Sequence, residues 1–404
     1  MEIPLGPLRN LPYLKLLASN VITTLGFWFT YVAAFDIFVF QTDVGPLAIG
    51  ILGMSAVAPM VIGGPIAGVI ADQYERRRVI IATYLLCVPF ILLLVFYRSI
   101  ILAYAVFFIT GFLYSIARPA YRALIPQLVP DEQLEEANGL LASSDSAAQI
   151  LGPGIAGTLL VVVDARTLFI LDATSYVLAA ILVFIIPVTV VEPSDDAVLS
   201  GFRNGVNYMR QTPLLLMLTS LGVVLFVAAG VFEAIVPYYI RELLGQGSST
   251  YSMFLLATGV GSFIGGISFG VVNNHIRSEL LPSVSLLLFS IAIGTFVFVR
   301  VESILTVASV GIGLAMVWFM SAAYTSMHRR VNEEYQGRIF GIFQSSVRGA
   351  QVIAMSAAGI VVSVVGTVEL FGVVTGMLLL GCVVWVLFAA RTSDEWAASQ
   401  STSQ

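Results

Sequence analysis

Long apolar stretches dominate this sequence and limit what it can fold into. There are twelve of them, each about 18 to 28 residues long, joined by short polar segments. They span residues 13–40, 47–70, 79–96, 100–117, 137–163 and 168–186 in the first half, and 214–240, 253–272, 280–299, 304–327, 339–365 and 370–390 in the second. A helix of about 20 apolar residues crosses a bilayer, and the alternation typical of a membrane β-barrel is absent. The sequence therefore predicts an all-α membrane protein with twelve transmembrane helices.

The composition excludes an ordinary water-soluble protein and several functional classes. Apolar residues make up 58% of the chain and charged residues 11%, against about 25% in soluble domains. The net charge of −5 argues against a nucleic-acid partner, which requires a basic surface. Cys87 and Cys382 lie in apolar stretches without metal-ligand spacing. The sequence contains no catalytic triad, nucleotide-binding loop or metal cluster, so we expect no enzyme, no metal and no cofactor.

The basic residues predict the orientation in the membrane. With both termini in the cytoplasm, fourteen of the nineteen Lys and Arg residues fall in cytoplasmic loops or ends, and four fall in outer loops. The remaining one, Arg348, lies inside an apolar stretch. This asymmetry agrees with the positive-inside rule. We therefore expect a multi-pass protein of the plasma membrane, the cell inner membrane, with both termini cytoplasmic.

The two halves of the sequence repeat each other at a fixed offset of 202 residues. Residues 63–70 (GGPIAGVI) fall on 265–272 (GGISFGVV), and seven residues between 139 and 157 recur unchanged between 341 and 359. One such match between helices rich in small residues arises easily by chance, whereas several at one offset do not. Parallel repeats of six spans predict two similar bundles with a central cavity between them.

The predicted domains follow from this repeat. Residues 1–191 and 214–391 are the two pseudo-symmetric six-helix bundles. In the cytoplasmic linker, residues 192–213, Phe202, Val206 and Met209 recur at helical spacing and indicate an interfacial amphipathic helix. The polar residues 392–404 are predicted to be a disordered tail.

One motif connects the sequence to a known family. Residues 64–78, GPIAGVIADQYERRR, place a glycine, an aspartate and an arginine triplet at the end of the second span. This pattern resembles the signature of the major facilitator superfamily between its second and third spans. Residues 118–120 (RPA), 125–130 (IPQLVP) and 337–341 (GRIFG) resemble its branch of drug/proton antiporters with macrolide and siderophore exporters. The resemblance covers essentially the whole chain and implies the major facilitator fold and transport by alternating access.

The resemblance also implies a cytoplasmic gate at this motif. Gly68 lets neighbouring helix backbones approach, and Asp72 can pair with a basic group or with a helix N-terminus. In the family the matching aspartate latches the two halves, and Arg76 and Arg338 complete the gate expected here. The alternative is that Arg76 and the two arginines after it only set the topology.

Residues 151–157, LGPGIAG, resemble the Gly-Pro motif in the fifth span of the family's drug and proton antiporters. Proline removes a backbone hydrogen bond and glycine permits close contact, so Gly152, Pro153 and Gly157 predict a closely packed helix that can kink. Phe108 stands where many antiporters have a basic residue in span four. This departure argues against proton coupling through that position.

Charged groups inside a membrane cost about 2.5 to 3.5 kcal/mol on insertion scales and are therefore functional candidates. Asp36 in span one and Glu233 in span seven end similar segments, 31–36 (YVAAFD) and 226–233 (FVAAGVFE). A carboxylate that exchanges a proton between the two access states would couple transport to protons. We interpret both residues as candidates for proton coupling, with solvated, inert acids near the outer interface as the alternative.

The predicted substrate cavity takes residues from both halves. Asp145 and Arg348 are nearly equivalent in the repeat, and they either form an ion pair that opens with the cavity, bind a polar part of the substrate, or hold helices together. A cavity with few charges suits a weakly charged substrate. The other predicted cavity residues are Trp28, Gln149, Phe232, Trp318 and Gln351.

These patterns predict a secondary active transporter that exports an amphipathic or lipophilic small molecule, such as a drug, a macrolide-like compound or a siderophore. We expect an inward flow of protons to supply the energy, without a cofactor, and we expect a monomer in the lipid bilayer. Two alternatives stay open. The protein could move a lipid or lysolipid between leaflets, or it could be a membrane sensor that binds its ligand without transporting it.

Overall fold

Twelve long α-helices form most of the part of the chain that the structure describes. The structure, a computed structural model, describes residues 6–42, 44–187, 208–275, 280–331 and 333–401. Within these ranges it describes every side chain except those of residues 57, 60–62, 64–73, 131, 135, 142, 146, 149–150, 161, 274, 333–338 and 390–401. The first six helices are α1 (Leu11–Phe35), α2 (Pro46–Gln73), α3 (Arg76–Phe96), α4 (Ile100–Leu124), α5 (Leu134–Val162) and α6 (Ala165–Phe184). The others are α7 (Pro213–Leu243), α8 (Ser248–His275), α9 (Leu281–Phe298), α10 (Glu302–Arg330), α11 (Glu333–Val365) and α12 (Thr367–Ser401).

The helices confirm the predicted all-α membrane fold. Judged on the residues whose side chains are described, ten of them are long and apolar enough to cross a membrane by length and composition. In α2 and α5, the described side chains form shorter apolar stretches, Pro46–Ala56 and Leu151–Leu160. The described part of the chain contains no β-strand. Of the twelve predicted spans, ten therefore meet the criterion of length and hydropathy.

Side-chain caps mark where individual helices begin. Asn10 Oδ1 accepts a hydrogen bond from the Tyr13 backbone N–H (3.1 Å) at the start of α1. At the start of α6, Asp164 Oδ1 accepts bonds from the Thr167 hydroxyl (2.6 Å) and backbone N–H (2.9 Å). These two bonds, the hydroxyl bond first, lower the pKa of the Asp164 carboxyl below its usual value. Such caps satisfy N–H groups that have no partner inside the helix.

The chain divides into two compact units. Unit 1 comprises Met1–Asp196 and Ile240–Leu256, and unit 2 comprises Ala197–Tyr239 and Ala257–Gln404. The sequence placed residues 240–256 in the second bundle, which is corrected here. One of the contacts that this segment makes inside unit 1 is that of Arg241, whose Nη1 donates hydrogen bonds to the carbonyl oxygens of Val39 (2.7 Å) and Val44 (3.2 Å).

The predicted linker and the predicted C-terminal tail are two further segments of the sequence-based domain assignment. Most of the predicted linker, residues 192–207, lies outside the described residues. At the other end, α12 continues to Ser401, so residues 392–401 are helical and not the disordered tail that the sequence predicted. This stretch, TSDEWAASQS, contains alanine, glutamate and glutamine, which favour helix, and has neither glycine nor proline.

Unit 1 is built around α1. This helix packs against α5 and α6, while α3 packs against α4 and α6, and α2 packs against α4. On α6, Asp172 is 1% exposed and accepts a hydrogen bond from the Ser175 hydroxyl (3.3 Å). Both side chains lie against Gly26 of α1, where a Cβ would overlap them. A glycine at position 26 therefore permits the close α1–α6 contact.

The core of unit 2 is aromatic. Here α9 packs against α10 and α12. Phe232 of α7 is 9% exposed, and its ring centroid lies 5.1 Å from that of Phe296 of α9 and 6.1 Å from that of Phe371 of α12. The Tyr239 hydroxyl donates a hydrogen bond to the Phe296 carbonyl oxygen (3.0 Å). Edge-to-face and tilted aromatic pairs of this kind stabilise the packing of three helices.

The sequence repeat recurs in the contacts inside the two units. In unit 1, a Cβ on Gly111 of α4 would lie 2.9 Å from the Ala56 carbonyl oxygen of α2. In unit 2, a Cβ on Gly313 of α10 would overlap the Thr258 carbonyl oxygen of α8. Both partners in these contacts are offset by 202 residues. A neighbouring contact repeats at the same offset, with Gly63 against Ser115 and Gly265 against Val317.

The arginine triplet that begins α3 holds the ends of other helices in unit 1. Arg76 Nη1 donates to the Ala123 carbonyl oxygen (3.0 Å) near the end of α4. Arg77 Nη1 donates to the carbonyl oxygens of Phe184 (3.3 Å) and Ile186 (2.8 Å) at the end of α6. These carbonyls carry the negative end of a helix dipole, so the two guanidiniums stabilise the helix termini.

We expect Arg77→Gln to lower the free energy of unfolding by about 1 kcal/mol, because charge-assisted bonds to the α6 carbonyls are lost. Thermal or denaturant unfolding in detergent, followed by tryptophan fluorescence, measures the change. Arg78→Gln is the matched control, since the Arg78 side chain is 81% exposed and pairs with Glu75. Equal effects of the two substitutions would contradict the assignment of Arg77 as the cap of α6.

Candidate functional site

A charged cluster lies between three helices of unit 1. The Asn20 side-chain amide of α1 donates a hydrogen bond to Asp145 Oδ1 of α5. Arg118 Nη2 of α4 lies 3.7 Å from Asp145 Oδ2. Arg122, one helical turn after Arg118, lines the same cleft. We call these four residues the Asp145 cluster.

Tyrosines surround the Asp145 cluster. The Arg118 guanidinium lies 5.9 Å from the centroid of the Tyr114 ring, within the range of a cation–π contact. The Tyr121 hydroxyl donates to the Leu16 carbonyl oxygen of α1 (2.7 Å), which orients this ring. The cleft has room for about one water molecule and none for a drug-sized ligand. Besides the cluster, it is lined by Tyr84, Tyr114, Ala117, Tyr121 and Leu141.

The sequence predicted a different partner for Asp145. It related Asp145 to Arg348, whereas the contacts described for Asp145 are with Asn20 and Arg118 inside unit 1. Asn20, Arg118 and Arg122 were missed as members of a site. The signal was present in the repeat, because Asn20 and Arg118 correspond to apolar residues in the second half and Arg122 corresponds to an uncharged tyrosine.

At the offset of 202 residues, Asn20 corresponds to Gly222, and Asp145 corresponds to Val347. These two residues also meet in unit 2, where a Cβ on Gly222 would lie 2.9 Å from Val347 Cγ1. Arg118 corresponds to Met320. The same pair of helices therefore packs without charges in unit 2, so packing alone does not require the charges of the Asp145 cluster.

The two predicted coupling residues each join a chain of polar groups. In unit 1, Gln41 Nε2 donates to Asp36 Oδ2 (2.7 Å), and Arg98 Nη1 donates to Gln41 Oε1 (3.1 Å). We call these three residues the Asp36 chain. Asp36 is 7% exposed and begins a π-helical segment, Asp36–Gln41, at the end of α1. Such segments are uncommon and are frequently found at functional sites.

The Glu233 chain has the same chemical order in unit 2. Gln351 Nε2 donates to Glu233 Oε2 (3.0 Å), and Arg348 Nη1 donates to Gln351 Oε1 (3.0 Å). The Arg348 guanidinium also lies 5.3 Å from the centroid of the Phe226 ring. Three residues that the sequence singled out separately, Glu233, Arg348 and Gln351, are thus brought together.

The predicted aromatic cavity residues occupy different surroundings. Phe232 belongs to the aromatic core of unit 2. This position corrects the prediction that it lines the substrate cavity. Trp318 of α10 donates its indole N–H to the Ser268 hydroxyl of α8 (3.1 Å), also inside unit 2. Trp28 of α1 packs on Gly152 of α5, and its buried indole nitrogen has no hydrogen-bond partner among the described residues.

The glycines of α5 permit close contacts on two sides. A Cβ on Gly152 would overlap the Trp28 ring, and one on Gly157 would lie 2.9 Å from the Ser252 Cα. Pro153 lies inside the helix, next to Gly152. The fifth helix is therefore closely packed at Gly152 and Gly157, and the predicted kink at Pro153 stays a prediction. Other predicted site residues, Asp72, Gln149 and Arg338, have side chains outside those that the structure describes, and Gly68 lies among them in α2.

The sequence profile of the Major Facilitator Superfamily matches residues 16–299 and 218–403. The chain belongs to the major facilitator superfamily. Macrolide efflux protein A of Enterococcus faecalis is 24% identical over 325 residues, which cover 76% of this chain and 98% of that protein. The staphyloferrin A transporter of Staphylococcus aureus is 23% identical over 374 residues, 88% of this chain and 91% of that protein.

Solved structures of major facilitator transporters share the fold. A mutant of the nucleoside transporter NupG superposes with a TM-score of 0.75 at 11% identity, over 94% of this chain and 99% of that one. As a member of the major facilitator superfamily, the protein is a membrane transporter and not an enzyme. The resemblance drawn from the residue 64–78 motif is therefore confirmed. Its similar relatives include efflux transporters.

Proposed function

We propose that this transporter exports an amphipathic or lipophilic small molecule, macrolide-like or siderophore-like, in exchange for protons that move inward. The name of macrolide efflux protein A supports the direction, and this name and that of the staphyloferrin A transporter support the substrate class. The observation that carries the proton coupling is the chemical order shared by the Asp36 and Glu233 chains. Each links an intramembrane carboxylate through a glutamine amide to an arginine.

A glutamine in this position responds to protonation of the acid. Gln351 donates its NH₂ group to the ionised Glu233 and accepts from Arg348 through its carbonyl oxygen. A protonated Glu233 becomes a donor itself, so it pairs best with the carbonyl oxygen of the glutamine. The amide then turns its NH₂ group towards Arg348, which has no acceptor to offer. Proton uptake thereby weakens the link to the arginine, and the same logic applies to Asp36, Gln41 and Arg98.

The proposal includes the rest of the transport cycle. The proton gradient is the energy source, no cofactor is used, the protein works as a monomer by alternating access, and both termini are cytoplasmic. Substrate binds in a cavity that includes Trp28, Gln149 and Trp318. Asp72, with Gly68, Arg76 and Arg338, acts as the cytoplasmic gate.

For the gate, we expect Asp72→Asn to slow transport about tenfold without unfolding the protein, because a neutral side chain pairs more weakly with a basic group or helix terminus. Initial transport rates in proteoliposomes measure the effect, and the unfolding temperature checks the fold. Asp164→Asn, at an exposed helix cap, is the control. An unchanged rate in the Asp72 variant would remove this residue from the gate.

The proposed function is tested with purified protein in liposomes that are acidic inside. Erythromycin and a lipophilic dye serve as probes, together with a fluorescent lysolipid. Exporter molecules whose cytoplasmic face is outward should accumulate a probe in the lumen above the level reached in protein-free liposomes with the same gradient, and collapsing the gradient should release it. Movement of the lysolipid between leaflets without accumulation would favour a flippase, and saturable binding without flux would favour a sensor. Either of these results overturns the proposal.

A further inference from the structure

The Asp145 cluster carries more positive than negative charge. Arg118 and Arg122 stand four residues apart on α4, where two like charges on neighbouring turns repel each other. Across the cleft, the one carboxylate of the cluster is that of Asp145, whose side chain is 15% exposed, against 43% for Arg118. Apart from the two arginines and Asp145, the polar groups that line this cleft are uncharged: the Asn20 amide of α1, Tyr84 of α3, and Tyr114 and Tyr121 of α4.

The Asp145 carboxylate holds a position that another anion can take. Its Oδ2 lies 3.7 Å from Arg118 Nη2, which is longer than a charge-assisted hydrogen bond of about 2.7 to 2.9 Å. The contact is therefore a loose ion pair at an accessible guanidinium. The Asn20 amide holds the other oxygen, Oδ1. The cleft itself holds only about one water molecule, so an incoming carboxylate or phosphate approaches Arg118 from its exposed side. It replaces the Asp145 oxygen there while Asp145 stays bonded to Asn20.

Unit 2 shows that these charges are not a requirement of the fold. The corresponding contact there is between Gly222 and Val347, and Met320 and Tyr324 stand in place of the two arginines. A pair of like charges that the homologous bundle does without is a cost to stability. Two guanidiniums facing a cleft are a common arrangement for binding carboxylate or phosphate groups.

We propose that the Asp145 cluster binds an anionic group, a carboxylate or a phosphate, with Arg118 and Arg122 as its ligands and Asp145 as the internal anion that it displaces. The group belongs to the transported molecule or to a lipid headgroup. This inference builds on the proposed export function, because it names a charge that the substrate carries. It also places the binding of this anionic group in unit 1.

The test uses the full-length protein in nanodiscs of phosphatidylcholine, with citrate and inorganic phosphate as probes at constant ionic strength. The unfolding temperature as a function of probe concentration gives an apparent Kd. We expect saturable binding of at least one probe, and Arg118→Gln and Arg122→Gln should each weaken it about tenfold. Asp145→Asn should strengthen it several-fold, because the competing carboxylate is gone. Arg166→Gln, at the exposed start of α6, is the control and should leave the Kd unchanged.

Asp145→Asn and Arg118→Gln are expected to change the apparent Kd in opposite directions, and this difference distinguishes an anion-binding role of the cluster from a purely structural one. If the cluster only holds helices together, Asp145→Asn weakens binding as Arg118→Gln does, and this result overturns the proposal. If a glutamine variant does not fold, Arg118→Lys or Arg122→Lys replaces it in the binding assay, because lysine retains the positive charge but lacks the planar guanidinium. Stabilisation by phosphatidylglycerol in the nanodisc that depends on Arg122, with no effect of citrate or phosphate, assigns the site to a lipid headgroup.

No stabilisation by citrate, phosphate or phosphatidylglycerol that depends on Arg118 or Arg122 would refute the site. This assay needs no gradient and no flux, so it fails independently of the export proposal. Binding with the expected signs in a protein that does not accumulate substrate would retain the anion site and reject the export function. Accumulation of substrate without anion binding would retain the export function and reject the anion site.

Discussion

Replacing Asp36 by Asn and Glu233 by Gln in one chain should abolish the accumulation of substrate against a gradient. In the proposed mechanism these two carboxylates are the groups that carry protons, and their amide replacements keep the shape but cannot take up a proton. With one proton exchanged per substrate, a difference of one pH unit supports about tenfold accumulation. We expect this ratio to fall to one in the double variant, while downhill exchange of substrate continues.

Proteoliposomes that are acidic inside provide the measurement, with the substrate ratio read at steady state. The single variants show whether both chains are needed or one is sufficient. Glu132→Gln is the matched control, because Glu132 is an exposed acid in the connection between α4 and α5. If the double variant still concentrates substrate, Asp36 and Glu233 are not the coupling residues, and the acids act only in their hydrogen bonds.

We also expect Gly313→Ala to destabilise unit 2 by about 1 to 3 kcal/mol or more. An added Cβ on α10 would overlap the Thr258 carbonyl oxygen of α8, and a backbone atom cannot move away as a flexible side chain can. In an unhindered helix the same change stabilises by about 0.5 to 1 kcal/mol. The expected effect therefore has the opposite sign to that of an ordinary glycine-to-alanine substitution.

Unfolding in detergent by heat or denaturant measures this effect. Gly376→Ala on α12 is the control, since among the described residues no atom beyond the adjoining helix backbone lies within 4 Å of the position of its Cβ, and we expect it to be neutral or stabilising. Gly111→Ala should resemble Gly313→Ala with a smaller loss, because its Cβ would lie 2.9 Å from the Ala56 oxygen. A stabilising Gly313→Ala would show that the two helices separate without cost.

Contacts between helices limited what could be predicted about the site. Most of these helices are apolar on nearly every side, because lipid and protein interior are equally apolar solvents. The periodicity of such a helix does not indicate which face packs against a neighbour. Phe232 was therefore assigned to a cavity although it lies in the core of unit 2. The pairing of Asp145 with Asn20 and Arg118 was missed for the same reason.

Glu233, Gln351 and Arg348 illustrate the opposite case. Each was singled out because a charged or strongly polar group in an apolar helix is costly and needs a partner. The sequence could identify these residues one by one, since the cost depends on the residue alone. It could not show that Gln351 links the other two, because that depends on the rotation of α7 and α11.

The sequence by itself determined the membrane class, the helical secondary structure, the two homologous halves and the family. These follow from hydropathy, from the need of the backbone to bond internally in lipid, and from a repeat that is written directly in the residues. Only the tertiary structure decided which polar groups meet, that residues 240–256 group with unit 1, and that charge is concentrated between α1, α4 and α5. Some of these contacts, such as Asn20–Asp145 and Glu233–Gln351, join residues more than a hundred positions apart, and their formation depends on how whole helices are rotated and packed.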